Sequence, residues 1–177
     1  MEKSGKKNIY LVGLMGAGKT VLGRSLAQRL RLDFKDSDHE IEARTGVCVS
    51  TIFEIEGEAG FRKRESRALA ELSALEETVI STGGGAVLLA ENRANMKSSG
   101  FVIYLNAQPI SLYERLRHDR SRPLLKGPDP LKKLEELFEA RDALYRDVAD
   151  LVVESGRMRA AFVLRMIEEG IEDRWKP

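Results

Sequence analysis

The stretch GLMGAGKT occupies residues 13–20, directly after the apolar run IYLV at residues 9–12. Its glycines and its terminal Lys19 and Thr20 satisfy the pattern G-x-x-x-x-G-K-[ST], which joins a strand to a helix in phosphate-binding loops. Glycines let successive backbone N–H groups face an anion, and the start of the next helix adds a partial positive charge. Lys19 is expected to reach the β- and γ-phosphates of a nucleotide, and the Thr20 hydroxyl to bind Mg²⁺. The alternative is a glycine-rich turn that binds no ligand.

Short apolar runs separated by helical patterns extend from this loop through the chain. Helical spacing of apolar residues covers residues 21–30 and 131–148. The runs typical of buried strands lie at residues 9–12, 78–81, 101–105 and 151–153. This alternation predicts an α/β domain in which helices cover both faces of a parallel sheet.

Two regions depart from the alternation. Residues 36–75 are rich in charge, have helical character and are too long for a simple crossover, so we expect an inserted helical unit. Residues 117–130, RHDRSRPLLKGPDP, combine arginines with prolines and a glycine, which predicts a mobile loop with a positive face. Such a loop is typical of a lid.

Composition limits the class of protein. The chain has 177 residues, of which 42% are hydrophobic and 32% charged, and we expect one globular domain over residues 1–177. A net charge of +1 gives no reason to expect nucleic acid or an anionic membrane as a partner. With Cys48 as the single cysteine, no intramolecular disulfide can form. The amino-terminal sequence MEKSGKK resembles neither a signal peptide nor a spanning helix, so we expect a cytoplasmic location. Separately, we expect the protein to be a monomer.

A phosphate loop alone does not distinguish a kinase from a switch protein. The D-x-x-G and N-K-x-D motifs of GTPases are absent, and none of the apolar runs is followed at once by an aspartate. The best source of a carboxylate near the metal is FKDSD at residues 34–38, because Asp36 and Asp38 leave the same face of an extended segment. The alternative is a solvated turn in which Asp38 or Ser37 caps a helix.

Taken together, the motifs resemble the shikimate kinase family over nearly the whole chain. The segments that carry the resemblance follow one another with the spacing of the family: GLMGAGKT, DSD with EIEARTG, IFEIEGEAGFRKRE, STGGGAV, RSRPLL and ARDALYRDVA. The resemblance implies transfer of the γ-phosphoryl group of ATP to the 3-hydroxyl of shikimate. It also implies a three-layer αβα fold with a five-stranded parallel sheet, in which residues 36–75 bind the substrate and residues 117–130 form a lid.

The resemblance further implies a role for individual residues. Lys19, Asp38 and Arg122 would be catalytic, and Asp36 would approach Mg²⁺ through water. Residues expected to bind ATP are Gly13, Gly16, Ala17, Gly18, Lys19, Thr20, Val21, Arg115 and Arg122. Residues expected to bind shikimate are Asp38, Arg62, Gly83, Gly84, Gly85 and Arg141. Arginine suits this task because its planar fork matches a carboxylate. Lys35 departs from the family, which usually has an apolar residue there.

The sequence alone is also compatible with two other functions. A kinase for another hydroxy acid such as gluconate, or a nucleotide-binding module without catalysis, would carry the same phosphate loop. His39 and His118 lack a neighbouring ligand at metal-binding spacing, so we do not expect them to bind metal. Cys48 is expected to be a partly buried small hydrophobe, and Trp175 to lie in a disordered charged tail.

Overall fold

Five parallel strands form the sheet of this protein, whose computed structural model describes residues 8–175. The strands are β1 (Asn8–Val12), β2 (Asp33–Asp36), β3 (Thr78–Ser81), β4 (Gly100–Asn106) and β5 (Leu151–Glu154). Their order is β2-β3-β1-β4-β5. Four of them confirm the predicted apolar runs. Strand β2 has the polar sequence DFKD, and it forms an edge of the sheet by pairing with β3.

Seven α-helices accompany the sheet within the described residues. They are α1 (Lys19–Leu30), α2 (Ser37–Thr45), α3 (Val49–Ser73), α4 (Ala90–Ser99), α5 (Pro109–Leu116), α6 (Pro130–Val148) and α7 (Ala160–Arg174). Helix α1 contacts β1, β2, β3 and α7, whereas α4 and α6 contact β4 and each other. All residues of β1 and β4 are buried, as expected for central parallel strands. The αβα fold is confirmed, and no helix of residues 8–175 is long and apolar enough to cross a membrane.

The phosphate loop (residues 13–20) lies between β1 and α1, at the carboxyl end of the sheet. Gly13 adopts a φ of 146°, and a Cβ atom at this position would lie 2.6 Å from the carbonyl oxygen of Leu105 on β4. Only glycine therefore allows the loop to leave the sheet at this point. Helix α1 begins directly after Gly18, so its first N–H groups face the loop.

The helical character predicted for residues 36–75 is confirmed, because α2 and α3 fill most of this region. The two helices share a small core of Ile41, Ile52, Phe61 and Ala68, separate from the core around the sheet. Helix α3 is kinked at Gly57, whose φ is 72° and ψ 179°. Residues 117–130 contain one 3₁₀ turn, Pro123–Leu125, and their mobility stays a prediction.

Two expectations from the sequence are wrong. Cys48 is exposed, because it precedes the first residue of α3 and its Sγ contacts the hydroxyl groups of Ser50 and Thr51. Trp175 does not lie in a disordered tail. Its ring packs 6.5 Å from that of Phe101, at the end of α7.

Candidate active site

Lys19 lies inside the phosphate loop and donates hydrogen bonds to its carbonyl groups. Its Nζ atom is 2.7 Å from the Gly13 oxygen and 2.9 Å from the Leu14 oxygen. Burial lowers the pKa of Lys19 to about 8, because an ammonium group loses solvation there, while the Asp38 carboxylate opposes the shift. An anion bound in the loop would supply the negative counter-charge that the buried ammonium group lacks.

A cleft opens above the loop, and we call it the phosphate cleft. Its lining includes Gly16, Gly18, Lys19, Thr20, Val21, Asp36, Asp38 and Arg122. Three residues predicted to bind ATP do not line it: Gly13 is packed against Leu105, Ala17 is buried within the loop, and Arg115 lies outside the cleft. Most of the predicted nucleotide residues thus surround one space.

Arg115, on α5, contacts the phosphate loop at Gly16. Its guanidinium donates to the carbonyl oxygens of Gly16 and Ser155 at 2.7 Å each, and also to that of Gly156. The side chain therefore joins the loop to the segment that follows β5. Its predicted place beside the adenine is not tested by these contacts.

Asp36, the last residue of β2, holds two neighbouring elements together. One carboxylate oxygen accepts from the Thr20 hydroxyl at 2.7 Å, and the other accepts from the backbone N–H groups of Asp38 and His39 at 3.0 and 3.2 Å. Asp36 is therefore the N-cap of α2, whereas the sequence suggested Asp38 or Ser37 for that position. The Thr20 hydroxyl and the Asp36 carboxylate therefore lie side by side in the wall of the phosphate cleft.

A second space adjoins the phosphate cleft, and we call it the arginine cavity. Its lining includes Asp38, Arg62, Glu65, the triplet Gly83 to Gly85, Arg122 and Arg141. The apolar part of its wall is formed by Met15, Val49, Phe53, Phe61, Pro123 and Leu124.

Four buried polar atoms in the arginine cavity have no hydrogen-bond partner. They are Asp38 Oδ1, Arg62 Nε, Glu65 Oε2 and Arg141 Nη1, and no other buried side-chain N or O atom in residues 8–175 lacks one. Buried polar atoms are nearly always paired in native proteins, and an unpaired one is costly. Their convergence in one cavity indicates a ligand with both acceptor and donor groups.

The glycine triplet leaves room for these charged side chains. A Cβ atom at Gly83 would overlap the Glu65 carboxylate and lie 3.0 Å from Asp38 Oδ1, and one at Gly85 would overlap the Arg62 guanidinium. Any larger residue would displace these groups. The triplet therefore brings the backbone close to whatever the cavity holds.

Glu65 is a member of this cavity that sequence reasoning missed. Its carboxylate accepts from Arg62 Nη1 at 2.8 Å, and Arg62 Nη2 also donates to Glu58 at 3.2 Å. Burial raises the pKa of Glu65, and the Arg62 guanidinium opposes that shift. The helical spacing from Arg62 to Glu65 was a signal, but α3 contains many charged residues with similar spacing.

Asp38 lies where the two spaces meet, since it lines both of them together with Gly83, Gly84 and Arg122. Burial raises the pKa of Asp38 and the nearby Asp36 adds to the shift, while Lys19 and Arg122 oppose it. Arg122 pairs with Asp119 in the 117–130 loop at 3.3 Å. A carboxyl with a raised pKa between a phosphate loop and a cavity lined by arginines is suited to accept a proton.

Comparisons with known proteins show which family the chain resembles over most of its length. A family model described as shikimate kinase matches residues 15–171. A shikimate kinase from Dechloromonas aromatica (strain RCB) is 55% identical over 162 residues, which are 92% of this chain and 88% of that relative. The solved structure of shikimate kinase from Acinetobacter baumannii in complex with shikimate has a TM-score of 0.91 at 44% identity and covers 96% of both chains. A gluconokinase from Sinorhizobium meliloti 1021, with a TM-score of 0.65 at 16% identity over 95% of this chain and 93% of that chain, is similar in fold alone.

Proposed function

The chain belongs to the shikimate kinase family, and from that premise we propose how its residues divide the transfer of the γ-phosphoryl group of ATP to the 3-hydroxyl of shikimate. The observation that carries the proposal is the set of four unpaired buried atoms in the arginine cavity. Shikimate carries a carboxylate at one end of a small ring and hydroxyls at the other. Cationic donors and a carboxylate acceptor in one cavity match both ends.

The carboxylate of shikimate binds between Arg62 and Arg141. Both guanidinium groups line the cavity and each has a buried nitrogen without a partner, so both have a donor to offer. Glu65 holds Arg62 in place through its hydrogen bond and balances part of the charge. The ring then lies against the apolar wall, where Phe53 and Phe61 pack 4.8 Å apart.

Asp38 accepts a hydrogen bond from the 3-hydroxyl and takes its proton as the phosphoryl group moves. Its unpaired Oδ1 supplies the acceptor, and its place between the two spaces puts it near both reactants. Lys19 and Arg122 stabilise the charge that develops on the transferred group. Catalysis of this type depends mainly on positioning and on charge stabilisation.

Mg²⁺ bound with ATP would neutralise charge on the β- and γ-phosphate oxygens. The residues at the end of the phosphate cleft suit this ion, because the Thr20 hydroxyl and the Asp36 carboxylate are oxygen donors 2.7 Å apart. Mg²⁺ usually takes one or two protein ligands and completes its coordination with phosphate and water. Thr20 would be the direct ligand, and Asp36 would act through water.

The remaining assignments concern larger parts of the chain. We assign Arg115 to the adenine, residues 36–75 to shikimate binding and residues 117–130 to a lid. The Nζ atom of Lys126, in the proposed lid, lies 3.4 Å from Oε1 of Glu54 on α3. This ion pair supports closure of the loop over the helical unit. We also propose a cytoplasmic location and a monomeric state, and size-exclusion chromatography with light scattering would test the second of these.

A coupled assay of ADP release tests the function. The protein is supplied with ATP, Mg²⁺ and one of three acceptors: shikimate, quinate or gluconate. We expect ADP release with shikimate and formation of shikimate 3-phosphate, with much lower rates for the other two. Preference for gluconate would assign a different acceptor, and nucleotide binding without turnover on any acceptor would indicate a non-catalytic module.

A further inference from the structure

Tyr145 lies next to the arginine cavity without lining it. It is on α6, four residues and so about one turn after Arg141, and it is fully buried. Its hydroxyl donates to the carbonyl oxygen of Gly84 at 2.5 Å. A Cβ atom added at Gly84 would lie 3.5 Å from Arg141 Nη1, so the glycine that accepts from the tyrosine also lies close to the arginine. Helix α6 thus contacts the glycine triplet through one side chain and lines the arginine cavity with another.

The hydrogen bond also sets the direction of a backbone donor. In a trans peptide the carbonyl and the following N–H point in opposite directions, so fixing the Gly84 carbonyl turns the Gly85 N–H away from Tyr145. Among the described residues, the N–H groups of Gly84 and Gly85 donate to no protein acceptor. These donors remain free for an anion beside Arg62 and Arg141.

Packing keeps the tyrosine in this one position. Its ring stacks on that of Tyr104 of β4, with centroids 4.9 Å apart and planes 29° apart. The Tyr104 hydroxyl in turn donates to Asp142 at 2.8 Å. Burial raises the pKa of Tyr145 to about 12, while the neighbouring Arg141 guanidinium opposes that shift.

We propose that Tyr145 is a positioning residue for the acid end of the substrate site: it holds the Gly84–Gly85 peptide beside Arg141 and so sets the affinity for the substrate carboxylate without touching it. The proposal rests on the proposed function, because it assigns the carboxylate of shikimate to this end of the cavity. The effect on the phosphoryl-transfer step itself is expected to be small.

The test compares Tyr145→Phe with Tyr104→Phe in the full-length protein. Each variant loses one buried hydroxyl and keeps its aromatic ring, but only Tyr145 contacts the glycine triplet. For Tyr145→Phe we expect the KM and the calorimetric Kd for shikimate to rise about 5- to 30-fold, with kcat within about twofold and the KM for ATP unchanged. Tyr104→Phe should keep the wild-type values, and circular dichroism would verify that both variants fold.

Two further measurements separate positioning from a general loss of packing. Shikimate methyl ester lacks the charge that Arg141 binds, so Tyr145→Phe should weaken its binding much less than that of shikimate. Combining Tyr145→Phe with Arg141→Lys should weaken shikimate binding by less than the product of the separate effects, because both act on one contact.

Several results would overturn the inference. These are an unchanged Kd for shikimate in Tyr145→Phe, an equal loss in Tyr104→Phe, an equal loss for the methyl ester, or independent effects in the double variant. A wild-type protein that does not bind shikimate would overturn the proposed function as well. Wild-type binding with an insensitive Tyr145→Phe variant would overturn this inference alone.

Discussion

Replacing Asp38 with asparagine removes a charge and a proton acceptor while keeping the shape of the side chain. In the structure Asp38 Oδ1 is buried without a partner at the junction of the two spaces. Burial and the neighbouring Asp36 raise the pKa of its carboxyl. The wild-type rate should therefore fall in acid at a higher pH than an ordinary aspartate would produce, because the protonated form cannot accept the proton of the 3-hydroxyl.

We expect kcat of Asp38→Asn to fall about 10²- to 10⁴-fold, the usual loss on removing a general base. The lower end of that range is favoured, since a loose transition state needs little early deprotonation. The acid limb of the pH–rate profile should also disappear.

Stability should change in the opposite direction to rate. For an acid whose folded pKa is raised, the stabilising contribution is present below the unfolded pKa and is lost as pH rises through the folded pKa. At neutral pH the Asp38 carboxylate therefore opposes folding. Asp38→Asn should raise the Tm at neutral pH, and this gain should shrink in acid.

Asp36→Asn is the matched control, because asparagine also caps helices well and α2 should remain intact. The assay measures kcat for both variants across a Mg²⁺ titration at saturating shikimate and ATP. Asp36→Asn should need more Mg²⁺ and recover its rate at high concentration, whereas Asp38→Asn should not recover. A wild-type rate in Asp38→Asn, or its rescue by Mg²⁺ while Asp36→Asn shows no metal dependence, would refute the two roles.

Three other predictions concern the loop lysine, the arginines and the lid. Lys19→Ala should abolish turnover while its circular dichroism spectrum stays intact. In the wild type, kcat/KM for ATP should decline as pH rises through about 8, where the buried amine loses its proton. An unfolded variant or a flat pH profile would contradict this. Arg62→Ala and Arg141→Ala should each weaken shikimate binding about 10- to 150-fold and spare ATP binding, because charge-assisted hydrogen bonds contribute about 1.5–3 kcal/mol; equal wild-type affinity for shikimate and its methyl ester would reject the clamp. Trypsin should cut residues 117–130 more slowly when shikimate and an ATP analogue are saturating, and unchanged cleavage would argue against a lid.

Features of this protein that depend on neighbouring residues were predictable from the sequence, whereas those that depend on distant residues were not. The phosphate loop and strands β1, β3, β4 and β5 were predictable, because a short apolar run and a glycine pattern are properties of neighbouring residues. Strand β2 was not visible as an apolar run, since its polar residues need little burial at the edge of a sheet. The family resemblance, and not periodicity, predicted a fifth strand.

The candidate site depended more strongly on the tertiary structure. The resemblance pointed to Asp38, Arg62, the glycine triplet and Arg141, but each of these residue types also occurs on ordinary surfaces. Only the fold shows that α2, α3, α6 and the segment after β3 bring them to one cavity.

The sequence by itself determined the phosphate loop, the class of fold and the family. Only the tertiary structure decided that Asp36 caps α2 while contacting Thr20, that Glu65 is buried against Arg62, and that Tyr145 holds Gly84. The physical reason is that local conformation follows from adjacent residues, whereas burial and hydrogen bonding of a polar group depend on partners far along the chain. In the sequence Tyr145 does not differ from any other helical tyrosine, because the carbonyl group that it binds belongs to Gly84, 61 residues away in the chain.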